Sequence, residues 1–221
     1  MKEVVQRTKQ AWQTALDNTL FKWQFIISAL FFVSCSKFNF YCLNLWEFRQ
    51  GERLNDFVLN LLPATDFSNI IFFFTYFTIF FTIVSALPYP GTFVRGLQAY
   101  SLLLLARVFS IYFFPLDPPT DMVLLVDPVG EFFLHQEVTV TKDLFFSGHT
   151  ATLVLMFMLA QNKYVKTFAT VALCVVPLLL LWQHVHYTID IVVAPFVAFT
   201  CVKVVEWANQ KSNYGKILYQ Y

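Results

Sequence analysis

The chain has 221 residues, of which 57% are hydrophobic and only 13% are charged, and its net charge is +1. Soluble domains carry about 45–50% apolar and about 25% charged residues, so this composition excludes an ordinary soluble domain and indicates a membrane protein. The near-neutral charge, without a basic patch among the aromatic residues, argues against a nucleic-acid partner.

In chain order, a polar and amphipathic segment at residues 1–19 precedes six apolar segments, and a polar tail follows at residues 208–221. A spanning helix needs about 20 mostly apolar residues, and the fourth segment is the shortest of the six. We predict an all-α, polytopic membrane protein with six transmembrane helices in one bundle at residues 20–207, which would form the catalytic domain. The predicted spans are residues 20–43, 67–87, 92–115, 146–161, 165–182 and 187–207.

Six spans place both termini on one side of the membrane, and the distribution of Lys and Arg predicts which side that is. The terminal side is rich in these residues, and the opposite side has only Lys37, Arg49, Arg53 and Lys142. We therefore expect cytoplasmic termini. The acidic loop at residues 116–145 and the turn at residues 184–186 would then lie on the non-cytoplasmic face.

The first segment whose side chains could take part in a reaction runs from Asp143 to Thr150, at the start of the fourth span. Ser147 and Gly148 before a helix expose backbone N–H groups at the positive end of the helix dipole, which suits a phosphate oxygen. His149 then lies in the first turn, where it could exchange a proton with a bound group. Ser147 and Gly148 are also ordinary helix-capping and turn residues, so the segment is not decisive alone.

The second segment contains His184, His186, Tyr187 and Asp190. His186 and Asp190 share one face of a helix because they are four residues apart. A carboxylate bound to one ring nitrogen fixes the tautomer and leaves the other nitrogen free as nucleophile or base. The alternative is a structural His–Asp pair that caps a helix, and His184 is more typical of a structural residue.

Arg107 is predicted near the middle of the third span, where a charge must face the protein interior or water. It could contact phosphate or pair with an acidic residue, and the sequence favours neither role over the other. Arg95 is expected near the cytoplasmic end and is more typical of a topology anchor.

These two motifs resemble those of the sphingomyelin synthase family, within the wider lipid phosphatase superfamily. The family pattern C-G-D-x-x-x-S-G-H-T is matched from Asp143 onward, but Thr141 and Lys142 replace its first two residues. The pattern H-Y-T-x-D-V is matched at His186, Tyr187, Thr188 and Asp190, with Ile191 in place of Val. Arg95 and Arg107 fit a weaker arginine motif, and the resemblance covers roughly residues 61–199.

The resemblance implies a two-step transfer of a phosphorylated head group. His186, oriented by Asp190, would attack the lipid phosphorus, and His149 would protonate the leaving diacylglycerol oxygen. A phospho-histidine would form, and a lipid hydroxyl such as that of ceramide or a diacylglycerol would accept the head group. The resemblance also implies that Asp143, Ser147, Gly148, Arg107 and Tyr187 contribute to substrate binding, and that no cofactor or metal is needed.

Two other functions are compatible with the same residues. A lipid phosphatase or phospholipase C-type hydrolase would use the same His/His/Asp site with water as the acceptor. A non-catalytic lipid-binding, transport or scaffold protein would keep the fold, but the presence of all three residues of the His/His/Asp set, His149, His186 and Asp190, argues against it. The sequence separates the transferase from the hydrolase poorly.

Glu131 in the acidic loop is flanked by Phe132 and Phe133. A carboxylate beside aromatic faces is typical of sites that hold a cationic amine. We therefore expect a zwitterionic phospholipid donor, carrying choline or ethanolamine, with Glu131 among the substrate-binding residues. The alternative is that the acidic residues only keep an exposed loop soluble.

Overall fold

The computed structural model describes residues 2–127, 141–212 and 214–221. Within them the chain forms seven α-helices and two short 3-10 helices, at Leu59–Leu61 and Gly215–Tyr219. The α-helices are α1 (Lys2–Asp17), α2 (Thr19–Trp46), α3 (Ser68–Ala86), α4 (Pro90–Phe113), α5 (Gly148–Leu159), α6 (Lys163–Trp182) and α7 (Thr188–Lys211).

Five of these helices, α2, α3, α4, α6 and α7, are long and apolar enough to cross a membrane. The prediction of a polytopic helical membrane protein is therefore confirmed, with boundaries that differ by a few residues from the predicted spans. Six equivalent spans are not confirmed, because α5 has only 12 residues. At about 1.5 Å per residue it is about 18 Å long, well short of a hydrocarbon core of about 30 Å.

Local capping explains why α5 is short. Ser147 caps its N-terminus by accepting a hydrogen bond from the Thr150 N–H, and at Ala160 the backbone turns to an extended conformation. Asn162 then caps α6 by accepting a hydrogen bond from the Tyr164 N–H at 2.8 Å. The chain therefore leaves α5 and enters α6 within three residues, where sequence analysis had extended the fourth span through residue 161.

The core contains two main apolar clusters. One contains buried side chains of α3, α6 and the loops at the site end, including Ile71, Leu144 and Tyr187. The other joins α4, α5 and α7 through small and medium side chains such as Ala99, Ala151 and Ala198. Small residues let helices approach closely in a membrane, where packing rather than water exclusion holds them together.

The amphipathic N-terminal segment and the C-terminal tail meet at the end of the helices that carries the termini. In α1, Trp12 Nε1 donates a hydrogen bond to the Leu87 carbonyl at 2.7 Å. Ile217 and Leu218 of the tail are buried with Phe21 and Val94. Gly91 is required here, because a Cβ would lie 1.9 Å from the Leu218 carbonyl oxygen.

Candidate active site

The two predicted motifs meet at the end of the helices opposite the termini. The Ser147 N–H donates a hydrogen bond to the Asp190 carbonyl oxygen at 3.1 Å, which joins the start of α5 to the start of α7. Arg107, near the end of α4, donates through Nη1 to the Phe146 carbonyl at 3.1 Å. Residues from three helices and the segment before α5 therefore form one polar group at this end.

His186 and Asp190 form a buried pair. Nδ1 of His186 lies 3.4 Å from Oδ2 of Asp190, and the two residues are 3% and 0% exposed. The same Oδ2 accepts a hydrogen bond from the Tyr187 N–H at 3.0 Å. Because Asp190 holds Nδ1, the Nε2 atom of His186 is the ring nitrogen left for chemistry.

Oδ1 of Asp190 is fully buried and makes no hydrogen bond within the described residues. A buried acceptor without a partner costs about 1–3 kcal/mol, and more when it is charged. Such a carboxylate stabilises positive charge on a neighbouring imidazole. Asp190 also caps the N-terminus of α7 through the bond from the Tyr187 N–H, so the structural alternative describes part of its role.

His149 lies in the first turn of α5, as predicted, and is only partly buried. Its ring makes an edge contact with Phe72, with the ring centroids 5.7 Å apart. The ring also lies within electrostatic range of His186, Arg107 and Asp143. The two histidines of the two motifs therefore belong to one site.

Arg107 is 6% exposed and forms an ion pair with Asp143. It also packs directly on Gly148, where a Cβ would lie 1.9 Å from Nη1 of Arg107. The two roles that the sequence left open for Arg107 are therefore compatible. It is paired with an acidic residue, and its guanidinium faces the N-terminus of α5, where a phosphate group would bind.

A cavity of about 240 Å³ begins at these residues and extends inward between the helices. Arg107, Asp143, Gly148 and His149 contribute to its wall. The rest of the wall comes from α2, α3, α4 and α5, at Asn39, Thr75, Ile79, Tyr100, Leu103, Leu104 and Thr152.

Tyr187 is 1% exposed, and its hydroxyl is occupied by the protein. It donates to the Asp117 carbonyl at 2.8 Å and accepts from the Leu54 N–H at 3.3 Å. The structure does not bring this hydroxyl into the cavity. Tyr187 instead ties α7 to the two loops that cover the site end.

Sequence analysis missed Asp56, which anchors the loop before α3 to the start of α7. Its carboxylate accepts hydrogen bonds from the N–H of Thr188 at 2.6 Å and from the Thr188 hydroxyl at 3.0 Å. Partial burial alone would raise the pKa of Asp56, but these bonds and those from the N–H groups of Val58 and Leu59 outweigh it and lower the pKa. In the sequence, Asp56 is only an acidic residue in the polar segment before the second apolar segment.

Gln183, also missed, is fully buried at the end of α6. Its Oε1 accepts from the Phe67 N–H at 2.9 Å, and its Nε2 donates to the Ser68 hydroxyl at 2.9 Å and to the Leu124 carbonyl at 3.2 Å. The side chain therefore joins α6, α3 and the loop after α4. A polar residue between a run of four leucines and the second motif was the available signal.

The structure assigns His184 a structural role. It adopts a φ of 57°, the left-handed conformation that normally favours glycine. The His184 N–H donates to the Leu181 carbonyl and the Val185 N–H to the Leu180 carbonyl, a pattern that closes the C-terminus of α6. Its ring nitrogen Nε2 lies 3.1 Å from the Leu62 carbonyl oxygen.

Glu131, predicted to bind a cationic head group, lies outside the described residues, as do the other residues of the acidic loop from 128 to 140. The described ends of that loop are held together, because Lys142 forms an ion pair with Asp117 at 2.8 Å. Within the described residues, no group of three His, Cys, Asp or Glu side chains is arranged to hold a metal ion.

The fold and the site thus define a multi-pass helical membrane protein with a buried His–Asp pair near the ion pair of Arg107 and Asp143. Residues 142–208 match the family model described as PAP2 superfamily C-terminal. The match covers both histidine motifs and supports the lipid phosphate phosphatase superfamily, whose members act on phosphate esters. No curated protein matches the chain.

Proposed function

We propose that this protein is a phospholipid head-group transferase, similar to sphingomyelin synthases, that works through a phospho-histidine intermediate. The observation that carries the proposal is the buried His186–Asp190 pair, with Nδ1 and Oδ2 3.4 Å apart, in one site with His149 and Arg107. The match at residues 142–208 supports phosphate-ester chemistry there.

In the first step, Nε2 of His186 attacks the phosphorus of a glycerophospholipid. The P–N bond forms as the P–O bond to diacylglycerol breaks, and His149 gives its proton to the departing oxygen. Asp190 stabilises the positive charge on the His186 ring. Arg107 and the N-terminal N–H groups of α5 hold the phosphoryl oxygens and stabilise the negative charge that develops on them.

In the second step, an acceptor hydroxyl such as that of ceramide attacks the phosphorus. His149, now unprotonated, takes the hydroxyl proton, the P–N bond breaks, and His186 returns to its starting state. The reaction thus moves one phospho-head group between two lipid oxygens and consumes no other reactant. Asp143 orients Arg107 throughout, because the two side chains are paired.

The distribution of Lys and Arg supports cytoplasmic termini and a site on the non-cytoplasmic face. Because the helices alternate in direction, the site lies at the end opposite both termini. Labelling of single engineered cysteines in sealed vesicles tests this orientation. Cytoplasmic labelling of a cysteine at position 121 would contradict it.

The reaction is tested with purified protein and phospholipids labelled in the head group, with and without ceramide. Transfer predicts a labelled sphingolipid that appears only with ceramide, and loss of all head-group release in His186→Ala. A zwitterionic donor should be preferred if Glu131 binds the amine. In that case Glu131→Gln should raise the KM for a choline or ethanolamine donor about tenfold, equivalent to about 1.4 kcal/mol, and leave an anionic donor unaffected.

A hydrolase with the same residues is the second candidate, because His149 is partly exposed at the cavity and water could reach it. It predicts release of the free phospho-head group at the same rate with and without ceramide. The labelled-lipid experiment therefore distinguishes the two functions in a single assay.

A further inference from the structure

A second cavity lies toward the end of the helices that carries the termini, away from the candidate active site. It has a volume of about 130 Å³ and lies between α4, α5 and α7. Within the part of the chain that the structure describes, it shares no wall residue with the cavity at Arg107. Arg95, in its wall, is twelve residues before Arg107 on α4, which at about 1.5 Å per residue is about 18 Å. The two cavities are therefore separate sites.

The wall of this second cavity has a polar and an apolar part. The polar part consists of four side chains near the helix ends, namely Thr92, Arg95, Gln161 and Glu206. The rest is apolar and includes Met158 in the last turn of α5 and Val202 of α7. Pockets for a complete small ligand measure about 300–1,000 Å³, so this cavity suits one end of an amphipathic molecule rather than the whole of it.

Arg95 is a partly buried cation without an acidic partner. None of the ion pairs among the described residues includes it. Its Nε donates to the Gly91 carbonyl at 3.3 Å, and its Nη2 donates to the Thr92 hydroxyl at 3.0 Å. A guanidinium has five N–H donors, so those of Nη1 are left without a partner among the described residues. The planar fork of such donors matches the oxygens of a phosphate.

The guanidinium of Arg95 is held in place by the C-terminal 3-10 helix. Its Cζ lies 4.4 Å from the centroid of the Tyr219 ring, in a cation–π contact. The Tyr219 hydroxyl in turn donates to the Glu206 carbonyl at 3.2 Å, which ties the ring to α7. A side chain that is fixed before its ligand arrives loses less conformational entropy on binding. Arg95 is therefore preorganised for an anion.

The charge around the cavity also favours an anion. Glu206 is the acidic residue of the described wall, and its Oε2 is paired with Nζ of Lys203 at 2.7 Å. This pairing leaves Arg95 as the uncompensated charge. Thr92 lies in the first turn of α4, where the positive end of the helix dipole adds to the attraction.

We infer that this cavity binds the phosphate of an anionic phospholipid from the leaflet at the end of the helices that carries the termini. Nη1 of Arg95 donates to the phosphate oxygens, and the glycerol end of the lipid lies against Met158 and Val202. A free phosphate would use only the polar part of the wall. Basic pockets between transmembrane helices on the cytoplasmic side bind anionic head groups, and the proposed orientation places the cavity on that side. Binding at this cavity is independent of the proposed head-group transfer.

The test is photolabelling of the full-length protein in phosphatidylcholine vesicles that contain a small fraction of phosphatidylglycerol with a photoreactive group beside its ester linkage. We expect the label on the peptides that contain Met158 and Val202. Unlabelled phosphatidylglycerol should displace it, whereas the same concentration of inorganic phosphate or of added phosphatidylcholine should not. Displacement by inorganic phosphate would indicate a site for a soluble anion, and equal displacement by the two lipids would show that charge is not recognised. Either result would overturn the inference.

Arg95→Gln should reduce labelling about fivefold, the usual effect of one basic side chain on an anionic lipid. Lys211→Gln is the matched control. Lys211 is exposed at the same end of the helices and lies over the Trp207 ring at 5 Å or less, 4.7 Å from its centroid, but it does not contribute to the described wall. The control should label like the wild type. Equal losses in the two variants would mean that the basic end attracts anionic lipids in general, which would overturn the inference.

Met158→Trp tests the cavity while the charge of Arg95 is retained. The larger side chain fills the space beside Arg95, so labelling of the Val202 peptide should fall as it does in Arg95→Gln. Unchanged labelling in Met158→Trp would place the lipid outside the cavity and contradict the inference. Thermal unfolding of each variant shows that a loss of labelling is not a loss of fold. His186→Ala should label like the wild type, so failure of the proposed reaction and failure of this inference are distinguishable.

Discussion

The backbone N–H of Ser147 donates a hydrogen bond to the carbonyl oxygen of Asp190 at 3.1 Å. This bond holds Ser147, two residues before His149, against Asp190, the hydrogen-bond partner of His186, so it couples the start of α5 to the start of α7. In the proposed mechanism, this bond helps to set the separation between His149 as proton donor and His186 as nucleophile. Precise placement of reacting groups is worth several kcal/mol in catalysis.

His186→Ala should abolish both head-group transfer and head-group release, because it removes the proposed nucleophile and no phospho-histidine can form. The matched control is His184→Ala, two residues away and also buried. The control should lower the unfolding temperature, since it removes the contact with the Leu62 carbonyl, and should retain measurable turnover. Near-wild-type activity in His186→Ala would contradict the mechanism.

Asp190→Asn should reduce the rate about 10²–10⁴-fold, by analogy with the aspartate of serine-protease triads. The amide preserves the shape, but it no longer stabilises a positively charged His186 ring and can select the wrong tautomer. The effect should fall on kcat rather than on KM, because Asp190 is fully buried and does not reach the lipid. A change confined to KM would indicate a binding role instead.

Gly148→Ala should inactivate the enzyme by displacing Arg107. The new Cβ would lie 1.9 Å from Nη1 of Arg107, so the guanidinium must leave its place at the start of α5. Gly96→Ala is the control, because its Cβ meets only the end of the Leu159 side chain, at 2.9 Å, and that side chain can shift. Equal activity in the two variants would show that the position of Arg107 is unimportant.

The sequence predicted the helices well because their signal is local. Composition and apolar length are sufficient to place α2, α3, α4, α6 and α7. Six equivalent spans could not be confirmed because Ser147 caps the start of α5 and Asn162 already caps the start of α6, and an average hydropathy does not detect such caps. The two histidine motifs were also local patterns, and the structure brings both to one site.

The contacts that support the site could not be predicted, because they join residues far apart in the chain. Asp56 bonds to Thr188, and Gln183 bonds to Phe67 and Ser68. Neither residue belongs to a motif, and each acquires its partners only when the loops fold over the helix ends.

Gln183→Leu should destabilise the protein, because it leaves the partly buried Phe67 N–H without its acceptor. Loss of one buried partner costs about 1–3 kcal/mol, and a chain of this size loses about 2–4 °C in Tm per kcal/mol. Thermal unfolding in detergent measures the shift. Gln161→Leu is the control, since its exposed side chain donates to the Leu159 carbonyl. A similar decrease in Tm in Gln161→Leu would show that the buried bonds of Gln183 are not especially stabilising.

The ion pair between Asp117 and Lys142 should make the stability of the site end depend on pH. The hydrogen bond from Lys142 lowers the pKa of Asp117, and although burial opposes this effect, the Gly51 N–H adds to it. Because the pKa is lower in the folded protein than the unfolded value of about 3.9, the stabilisation is fully present above that value. It is lost as the pH falls through the folded pKa.

Asp117→Asn should therefore lower the unfolding temperature at pH 7, and its difference from the wild type should shrink as the pH is brought below about 4. Thermal unfolding of both proteins between pH 7 and pH 3 measures this. Asp121→Asn, an exposed acid of the same loop, controls for the loss of a negative charge. A difference that grows on acidification, or one that Asp121→Asn reproduces, would mean that the bond between Asp117 and Lys142 does not hold the loop ends together.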